Sequence, residues 1–168
     1  MNAPHTLSAI NAMPPDDFIA AFGDVAEHSP WVAGRALSAR PYASRDAMVE
    51  AFAAALRAAT HKEQLALIRA HPDLATRARL TKDSSSEQKG AGLDTLNPVE
   101  WARFIDLNAQ YKKRFGFPFI LAVKGATKDR ILASFEARIR ADPKDEFEMA
   151  LTQIARIIRF RLEDRVAP

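Results

Sequence analysis

The stretch NPVEWARFIDLNAQYKKRFG, residues 97–116, decides the fold class of this chain. Asn97 is a favoured N-cap residue, and Pro98 suits the first helical position, where its missing N–H leaves no bond unmade. Gly116 ends the stretch and suits a left-handed C-cap. Large side chains recur between these ends at helical spacing, at Trp101, Phe104, Ile105, Asn108 and Tyr111. The stretch therefore predicts one α-helix with a defined beginning and end.

The segments before this helix carry similar boundaries. Short helices are predicted over residues 16–22 and after Pro30, because each follows a proline and carries apolar residues at helical spacing. Ser44 is a candidate N-cap for a longer helix. Thr60-x-x-Glu63 has the pattern of a capping box, in which each residue bonds the backbone N–H of the other, and it opens the next helix.

The segments after it are also helical, and together they define the fold class. Helices are predicted over about 127–140 and about 142–165, from N-cap and proline signals at their starts. The only extended-looking run is Phe117–Val123, and Pro118 within it argues against a central strand. The chain is therefore predicted to be all-α, with eight or nine helices of uneven length in a single compact domain over residues 1–168.

Composition excludes several classes of protein. The 168 residues contain no cysteine, which excludes disulfide scaffolds, thiolate nucleophiles and cysteine-ligated metals. No apolar run reaches the roughly 18 residues of a membrane span, and Met1–His5 has no signal-peptide character. The 24 basic residues are interspersed with 21 acidic ones, which disfavours a nucleic-acid partner. We expect a soluble, cytoplasmic protein that binds neither membranes nor nucleic acid.

Arg161 interrupts the apolar face of the last helix. That face carries residues at steps of four, three and four, and a further step of three reaches Arg161, within about 20° of Ile154 at about 100° per residue. A buried guanidinium needs an anion, because removing the charge from water costs several kcal/mol. The partner could be a carboxylate of the protein or of a ligand. Helix geometry alone favours a structural role, either an internal ion pair or a helix end that has already left the core.

His71 is the second residue that could carry chemistry. It follows the helix that Thr60 opens, and Pro72 ends that helix, because a residue before proline is disfavoured in helical conformation. Histidine is the usual proton donor or acceptor near neutral pH, although a structural histidine at a helix end remains the alternative. Asp73 could cap a short helix that begins at Leu74. The remaining histidines, His5, His28 and His61, form no metal-binding pattern with it, so no metal is expected.

A polar patch and an aromatic loop complete the candidate features. Ser84-x-x-Glu87 is a second capping-box pattern, so a helix is expected to begin at Ser84, where backbone N–H groups favour anions. Glu87 and Gln88 could bind the N–H and carbonyl groups of a ligand, or Glu87 could serve only as a cap. The loop Phe115–Phe119 is expected to pack into the core and could also form the wall of a pocket.

Taken in order, these motifs resemble the 2-oxo-4-hydroxy-4-carboxy-5-ureidoimidazoline (OHCU) decarboxylase family, the enzymes that complete the degradation of urate to allantoin. The resemblance covers nearly the whole chain and is most specific over about 95 residues. The matching elements are His71-Pro72-Asp73-Leu74-Ala75, Ser84-x-x-Glu87-Gln88 with Ala91-Gly92-Leu93, Leu107-Asn108-x-x-Tyr111-x-x-x-Phe115-Gly116-Phe117-Pro118-Phe119-Ile120, and Arg161-Leu162-x-Asp164.

The resemblance implies a role for each motif. His71 would be the catalytic acid or base, Pro72 would shape its pocket, and Arg161 would bind an anionic or carbonyl edge of the substrate. The other substrate-binding residues would be Ser84, Ser85, Ser86, Glu87 and Gln88, with backbone groups of Leu121, Ala122, Val123, Lys124 and Gly125. The reaction would need no cofactor and no metal, its ligand would be a small ureido-imidazoline, and the protein would be a cytoplasmic homodimer.

Two hypotheses about function, neither of them an enzyme, stay open at this point. In a non-catalytic helical binding module, Arg161 would pair internally, Glu87 would only cap, and His71 would be structural. A basic helical nucleic-acid binder would need a cationic face on one helix, whereas the arginines here are scattered. The linker from Ala75 to Asp83 is short and basic, with Arg77, Arg79 and Lys82, and could alter how the Ser84 segment approaches His71.

Overall fold

Helices dominate the computed structural model, which describes residues 3–76 and 80–168; Arg77 and Arg79 of the basic linker lie outside the described residues. The only β pairing among the residues described is a single bridge between His5 and Val166. The all-α prediction is therefore confirmed. The α-helices are α1 Leu7–Ala12, α2 Pro15–Phe22, α3 Trp31–Ala36, α4 Arg45–Ala58, α5 His61–Arg69, α6 Lys82–Gly90, α7 Pro98–Phe115, α8 Lys128–Arg138 and α9 Pro143–Arg165.

The helix that decides the fold class has the predicted ends. Asn97 accepts a hydrogen bond from the N–H of Glu100, and the Glu100 carboxylate accepts one from the N–H of Asn97, so a complete capping box opens α7. Gly116 closes it at φ 77°, in the left-handed region that favours glycine. Ile105, one of the large side chains at helical spacing, is 42% exposed. The residues that α7 buries are Phe104, Leu107, Asn108 and Tyr111.

The described residues form two compact units. The first consists of the chain up to Ala70 together with Ile154–Pro168, and the second is His71–Gln153. The prediction of one domain over residues 1–168 stays a prediction. None of the described helices is both long enough and apolar enough to cross a membrane.

Aromatic rings form the core of the first unit. The fully buried Phe18 of α2 lies 5.2 Å from Phe22 and 6.2 Å from Phe52 of α4, measured between ring centroids. Tyr42 joins them at 6.4 Å and donates its hydroxyl proton to the carbonyl of Ala36 at 2.6 Å. Burial raises the pKa of this phenol to about 12, so it stays neutral and keeps its hydrogen bond.

Tyr111 is the centre of the core of the second unit. Its ring lies 5.4 Å from that of Phe119 and 5.9 Å from that of Phe135, and these two rings stack on each other at 3.9 Å. The loop after α7 therefore packs into the core, as predicted: Phe117 and Phe119 are both buried. Packing of this kind fixes the loop at the point where it leads into residues 121–125.

A buried ion pair lies against this aromatic cluster. Glu146 of α9, 1% exposed, accepts hydrogen bonds from the Tyr111 hydroxyl at 2.5 Å and from Arg138 Nε at 2.7 Å. Burial and the Glu146 carboxylate both raise the pKa of Tyr111, so the phenol remains protonated and continues to donate. Arg138 also donates to the carbonyl of Ile120 and lies over the Phe119 ring at 4.4 Å. The pair therefore ties α8 and α9 to the loop.

Removing Arg138 should cost far more stability than removing a surface arginine from the same unit. We expect Arg138→Met to lower the free energy of unfolding by about 3–5 kcal/mol, because it leaves Glu146 buried without a cation. Arg103→Met is the control: Arg103 pairs with Glu136 at 3.0 Å, but both side chains are more than 40% exposed, so the loss should be below about 1 kcal/mol. Urea unfolding followed by circular dichroism measures the free energy of unfolding of both variants. Equal losses of stability would contradict the structural role of the buried pair.

Candidate active site

Two buried carboxamides hold the backbone just after His71. Asn108 Nδ2 donates to the carbonyl oxygen of Leu74 at 2.9 Å, and the N–H of Ala75 donates to Gln88 Oε1 at 3.0 Å. These two backbone groups belong to one planar peptide unit. The Leu74–Ala75 peptide is therefore held on both edges, by a side chain of α7 and a side chain of α6. We call Gln88, Asn108 and the peptide between them the amide clamp.

The clamp holds a turn that the sequence did not predict. Ala75 has φ 58°, in the left-handed region, which costs a non-glycine residue about 1–2 kcal/mol. The expected helix from Leu74 is wrong: residues 74–75 form a turn. Asp73 does not cap a helix there, and its carboxylate instead accepts a hydrogen bond from Lys112 Nζ of α7 at 2.7 Å. In this turn, α6 and α7 supply the hydrogen-bond partners of the Leu74–Ala75 peptide.

His71 itself is buried, with 9% of its surface exposed, and Pro72 next to it is half-buried. A buried imidazole can hold or transfer a proton where bulk water competes little with a ligand. Because the amide clamp fixes the backbone nearby, the imidazole is attached to a part of the chain with little freedom to shift. These are the properties that general acid or base catalysis requires of a histidine.

Helix α6 begins before the predicted position. Thr81 is its N-cap and accepts a hydrogen bond from the N–H of Ser84 at 3.3 Å, and the N–H of Ser85 donates to the carbonyl of Thr81 at 2.9 Å. The predicted capping box of Ser84 and Glu87 is therefore wrong. Thr81-x-x-Ser84 precedes it by one helical turn, and the helix uses that cap instead. The backbone N–H groups of Ser84 and Ser85 therefore already donate hydrogen bonds within the helix.

The segment 84–88 presents its side chains to two environments. Ser84 and Gln88, four residues apart, are buried on one face, whereas Ser85 and Ser86 are exposed and Glu87 is half-buried. The carboxamide of Gln88 bonds the turn after His71. The structure therefore brings the His71 turn and the Ser84–Gln88 segment together, through a contact that the sequence motifs alone did not reveal.

Side chains also hold the segment 121–125. The N–H of Ala122 donates to Gln153 Oε1 at 3.1 Å, and the N–H of Ala126 donates to the carbonyl of Val123 at 2.9 Å. Gly125 has φ 78°, and it is exposed together with Lys124. The backbone of this segment is thus fixed at both ends, by α9 through Gln153 and by its own turn. Its polar backbone groups are only partly available to a ligand.

Arg161 is buried, as the helical pattern predicted, and its partner is a carboxylate of the first unit. Arg161 NH1 lies 2.8 Å from Glu27 Oε2 and donates to the carbonyl of Val25 at 3.3 Å. The two side chains are 3% and 1% exposed. A ligand is therefore not needed to balance the charge of Arg161, so burial no longer argues for a substrate contact. Arg165, one turn further, bonds the carbonyl of Ala21 and the Asp24 carboxylate.

A cavity of about 530 Å³ lies beside the amide clamp in the second unit, a size within the range of small-molecule sites. Trp101 of α7 forms part of its wall and is half-buried. The residues that line the cavity are Ala75, Thr76, Leu93, Asp94, Leu96, Pro98, Trp101 and Ala102.

Three residues that fix the candidate site were not predicted as part of it. Glu27 lies far from Arg161 in sequence, and no local pattern connects them. Asn108 and Gln153 stand among apolar residues on the buried faces of α7 and α9. A carboxamide on such a face is the one available signal, because a buried amide needs hydrogen-bond partners.

Comparison with known proteins gives the same family along nearly the whole chain. The family model described as OHCU decarboxylase matches residues 11–163. The 2-oxo-4-hydroxy-4-carboxy-5-ureidoimidazoline decarboxylase of Haloferax volcanii is 43% identical over 160 residues, which cover 95% of each chain. A uric acid degradation bifunctional protein of Bacillus subtilis is 41% identical, over 95% of this chain and 32% of its own length.

A solved structure agrees with these relatives. The crystal structure of an (S)-allantoin synthase superimposes with a TM-score of 0.81 at 29% sequence identity. The match covers 98% of this chain and 54% of that one. The similarity therefore extends to the three-dimensional fold.

A double-mutant cycle should show strong coupling between Arg161 and Glu27. We expect Arg161→Met and Glu27→Gln each to destabilise the protein by about 3–5 kcal/mol, because each leaves a buried polar group without its partner. The double variant should lose less than the sum, with a coupling energy of about 2–3 kcal/mol. Arg159 and Asp46, 3.2 Å apart but 37% and 80% exposed, provide the control cycle. Equal coupling energies in the two cycles would contradict a buried ion pair between Arg161 and Glu27.

Glycine should be tolerated at Ala75 but not at a matched alanine. Both Ala75 and Ala91 are 5% exposed, but Ala91 has φ −86°. Ala91→Gly should lower the free energy of unfolding by about 1 kcal/mol through chain entropy and lost burial. The loss for Ala75→Gly should be about 1 kcal/mol smaller than the loss for Ala91→Gly, because glycine relieves the left-handed strain at position 75. Thermal unfolding measures the difference, and equal losses would show that Ala75 is unstrained.

Proposed function

This chain belongs to the OHCU decarboxylase family, and we propose on that basis that it converts OHCU to (S)-allantoin and CO2. The observation that carries the proposal is the 43% identity, over 95% of the chain, to a relative whose name states the decarboxylase activity. A further relative named for uric acid degradation supports a place in the breakdown of urate.

The chemistry of the substrate requires little of the protein. Its carboxylate is attached beside a conjugated imine and ring system. When the bond to the carboxylate breaks, CO2 leaves and the electron pair enters that conjugated system, which then takes up a proton on carbon. The residues of the chain have to orient the carboxylate, stabilise the charge that develops and deliver the proton to one face. Delivery to one face gives a single enantiomer.

His71 is the acid or base in this proposal. Its imidazole is the only histidine side chain that is buried among the described residues, and the amide clamp fixes the turn that follows it. Pro72 limits the backbone at the next position. An imidazole in this setting can exchange a proton with the substrate or hold the departing carboxylate.

The polar segments of the second unit supply the substrate contacts. Glu87 is half-buried and can accept the N–H groups of a ureido substituent. Gln88 bonds the N–H of Ala75 through Oε1, which orients its NH2 group for a carbonyl. Ser84, Ser85 and Ser86 contribute hydroxyl groups. Leu121, Val123, Lys124 and Gly125 contribute backbone groups, and Ala122 contributes its carbonyl, since its N–H already donates to Gln153.

Arg161 is the cation of the proposal. Its bonds to Glu27 and to the carbonyl of Val25 hold the guanidinium in one orientation. A guanidinium has five N–H donors in a fixed plane, so it can bind more than one acceptor with directionality. This role is separate from the structural ion pair and is compatible with it.

We also propose that residues 1–168 act as one functional domain and that the protein is a cytoplasmic homodimer. The match of one family over residues 11–163 supports the first statement. Light scattering after gel filtration tests the oligomeric state: twice the mass of the chain is expected, and the mass of a single chain would contradict it.

A coupled assay tests the reaction and the role of His71 together. Fresh OHCU, made from urate by urate oxidase and hydroxyisourate hydrolase, is followed by circular dichroism as (S)-allantoin forms. We expect the wild type to accelerate the appearance of (S)-allantoin and His71→Ala to lower kcat by about 10²–10⁴-fold, the usual contribution of an acid or base.

His61→Ala is the matched control, because His61 is an exposed histidine at the start of α5. It should retain wild-type kcat. A wild type that leaves the slow, racemic decay of OHCU unchanged would overturn the proposed function. A fully active His71→Ala variant would overturn only the role of His71.

A further inference from the structure

Asn108 is a polar residue on the buried face of α7. It is 4% exposed, and its neighbours on that face include Phe104 and Tyr111. Its Nδ2 donates to the carbonyl of Leu74, and its Oδ1 has no hydrogen-bond partner in the described part of the chain. Buried polar atoms are nearly always hydrogen-bonded, so a residue that leaves one unmatched is kept for a specific purpose. Leucine, of similar size, would fill the same space without this penalty.

The purpose lies in the peptide that Asn108 bonds. Leu74 and Ala75 share a peptide plane whose N–H edge is bonded by Gln88. Ala75 is held at φ 58°, whereas an alanine in a free turn prefers negative φ. Rotation of this peptide plane would let Ala75 relax. With Gln88 alone the plane has one anchor and can turn about it, whereas a second anchor on the carbonyl edge prevents the rotation.

Rotation of the Leu74–Ala75 peptide plane would displace His71. Only Pro72 and Asp73 separate His71 from the clamped peptide, and the fixed φ of Pro72 passes a change of direction along the chain instead of absorbing it. Misplacement of a reacting group by about 1 Å can lower a rate by about 10²-fold. A residue that prevents this movement therefore affects the reaction without touching the substrate.

We propose that Asn108 is a positioning residue for the decarboxylation, which acts on His71 through the Leu74–Ala75 peptide. The inference rests on the proposed function, since it assigns Asn108 a part in the same reaction. Loss of the Asn108 side chain lowers kcat and leaves KM nearly unchanged, because the substrate contacts remain while the acid or base is displaced.

The test compares three variants with the wild type in the OHCU assay. Asn108→Leu removes the bond to Leu74 and should lower kcat by about 10- to 100-fold with KM within about threefold. Asn108→Leu combined with Ala75→Gly should recover part of that loss, because glycine adopts positive φ readily and keeps the turn without the second anchor. A purely structural role for Asn108 would not predict this rescue.

Asn11→Leu is the matched control. Asn11 Nδ2 donates to the carbonyl of Tyr42 at 3.0 Å, a long-range amide-to-backbone bond of the same kind in the first unit. Its loss should lower the melting temperature and leave kcat unchanged. If Asn108→Leu does not fold, as judged by circular dichroism, Asn108→Ala carries the test with the same expected loss of kcat, because alanine is smaller and has no donor for the carbonyl of Leu74.

The outcomes separate this inference from the proposed function. Wild-type kcat in a folded Asn108 variant would overturn the inference and leave the decarboxylase activity in place. An equal fall in kcat for Asn11→Leu would also overturn it, because the loss would then follow stability. A wild type without decarboxylase activity would overturn both.

Discussion

The peptide between Leu74 and Ala75 is held by two carboxamides, and the candidate site depends on this one arrangement. Each bond alone is worth about 1 kcal/mol in net stability. Together they fix both edges of a peptide plane next to a strained alanine, which neither could do alone. The clamp also joins α6 and α7 to the turn after His71. The segments that carry the sequence motifs are therefore connected through hydrogen bonds between side chains of α6 and α7 and the Leu74–Ala75 backbone.

Buried charge follows a similar principle in each unit. Arg161 pairs with Glu27 in the first unit, and Arg138 pairs with Glu146 in the second. Such pairs add little net stability, because desolvation offsets most of the attraction, but they tolerate few alternative arrangements. Both arginines also bond a backbone carbonyl, that of Val25 or that of Ile120. Their effect is to fix backbone that lies outside the α-helices.

Local signals predicted the elements of the fold well. Caps, prolines and the glycine at position 116 placed α7 correctly, and the capping box of Thr60 and Glu63 is present. The predicted start of α6 was wrong because Thr81 and Ser84 are each a plausible N-cap, and a rule that looks only three residues ahead cannot choose between them. Spacing also defines an apolar stripe without its width, and Ile105 is exposed although it follows the helical spacing of α7.

The candidate site was predictable only in part. The spacing of α9 showed that Arg161 would be buried, but its partner Glu27 is separated from it by most of the chain. The motifs indicated His71 and the segment 84–88, whereas the clamp that joins them requires the positions of α6 and α7 in space. Asn108 and Gln153 act on backbone groups, and a backbone acceptor leaves no trace in the sequence of the segment that provides it.

The most direct test is a crystal structure of this chain with (S)-allantoin bound. We expect an oxygen or nitrogen of the ligand within about 3.2 Å of a ring nitrogen of His71. We also expect the Leu74–Ala75 peptide to be bonded still by Asn108 and Gln88. Ordered allantoin that makes no contact with His71 would contradict the role of His71, and a released peptide with Ala75 at negative φ would contradict the role of the amide clamp.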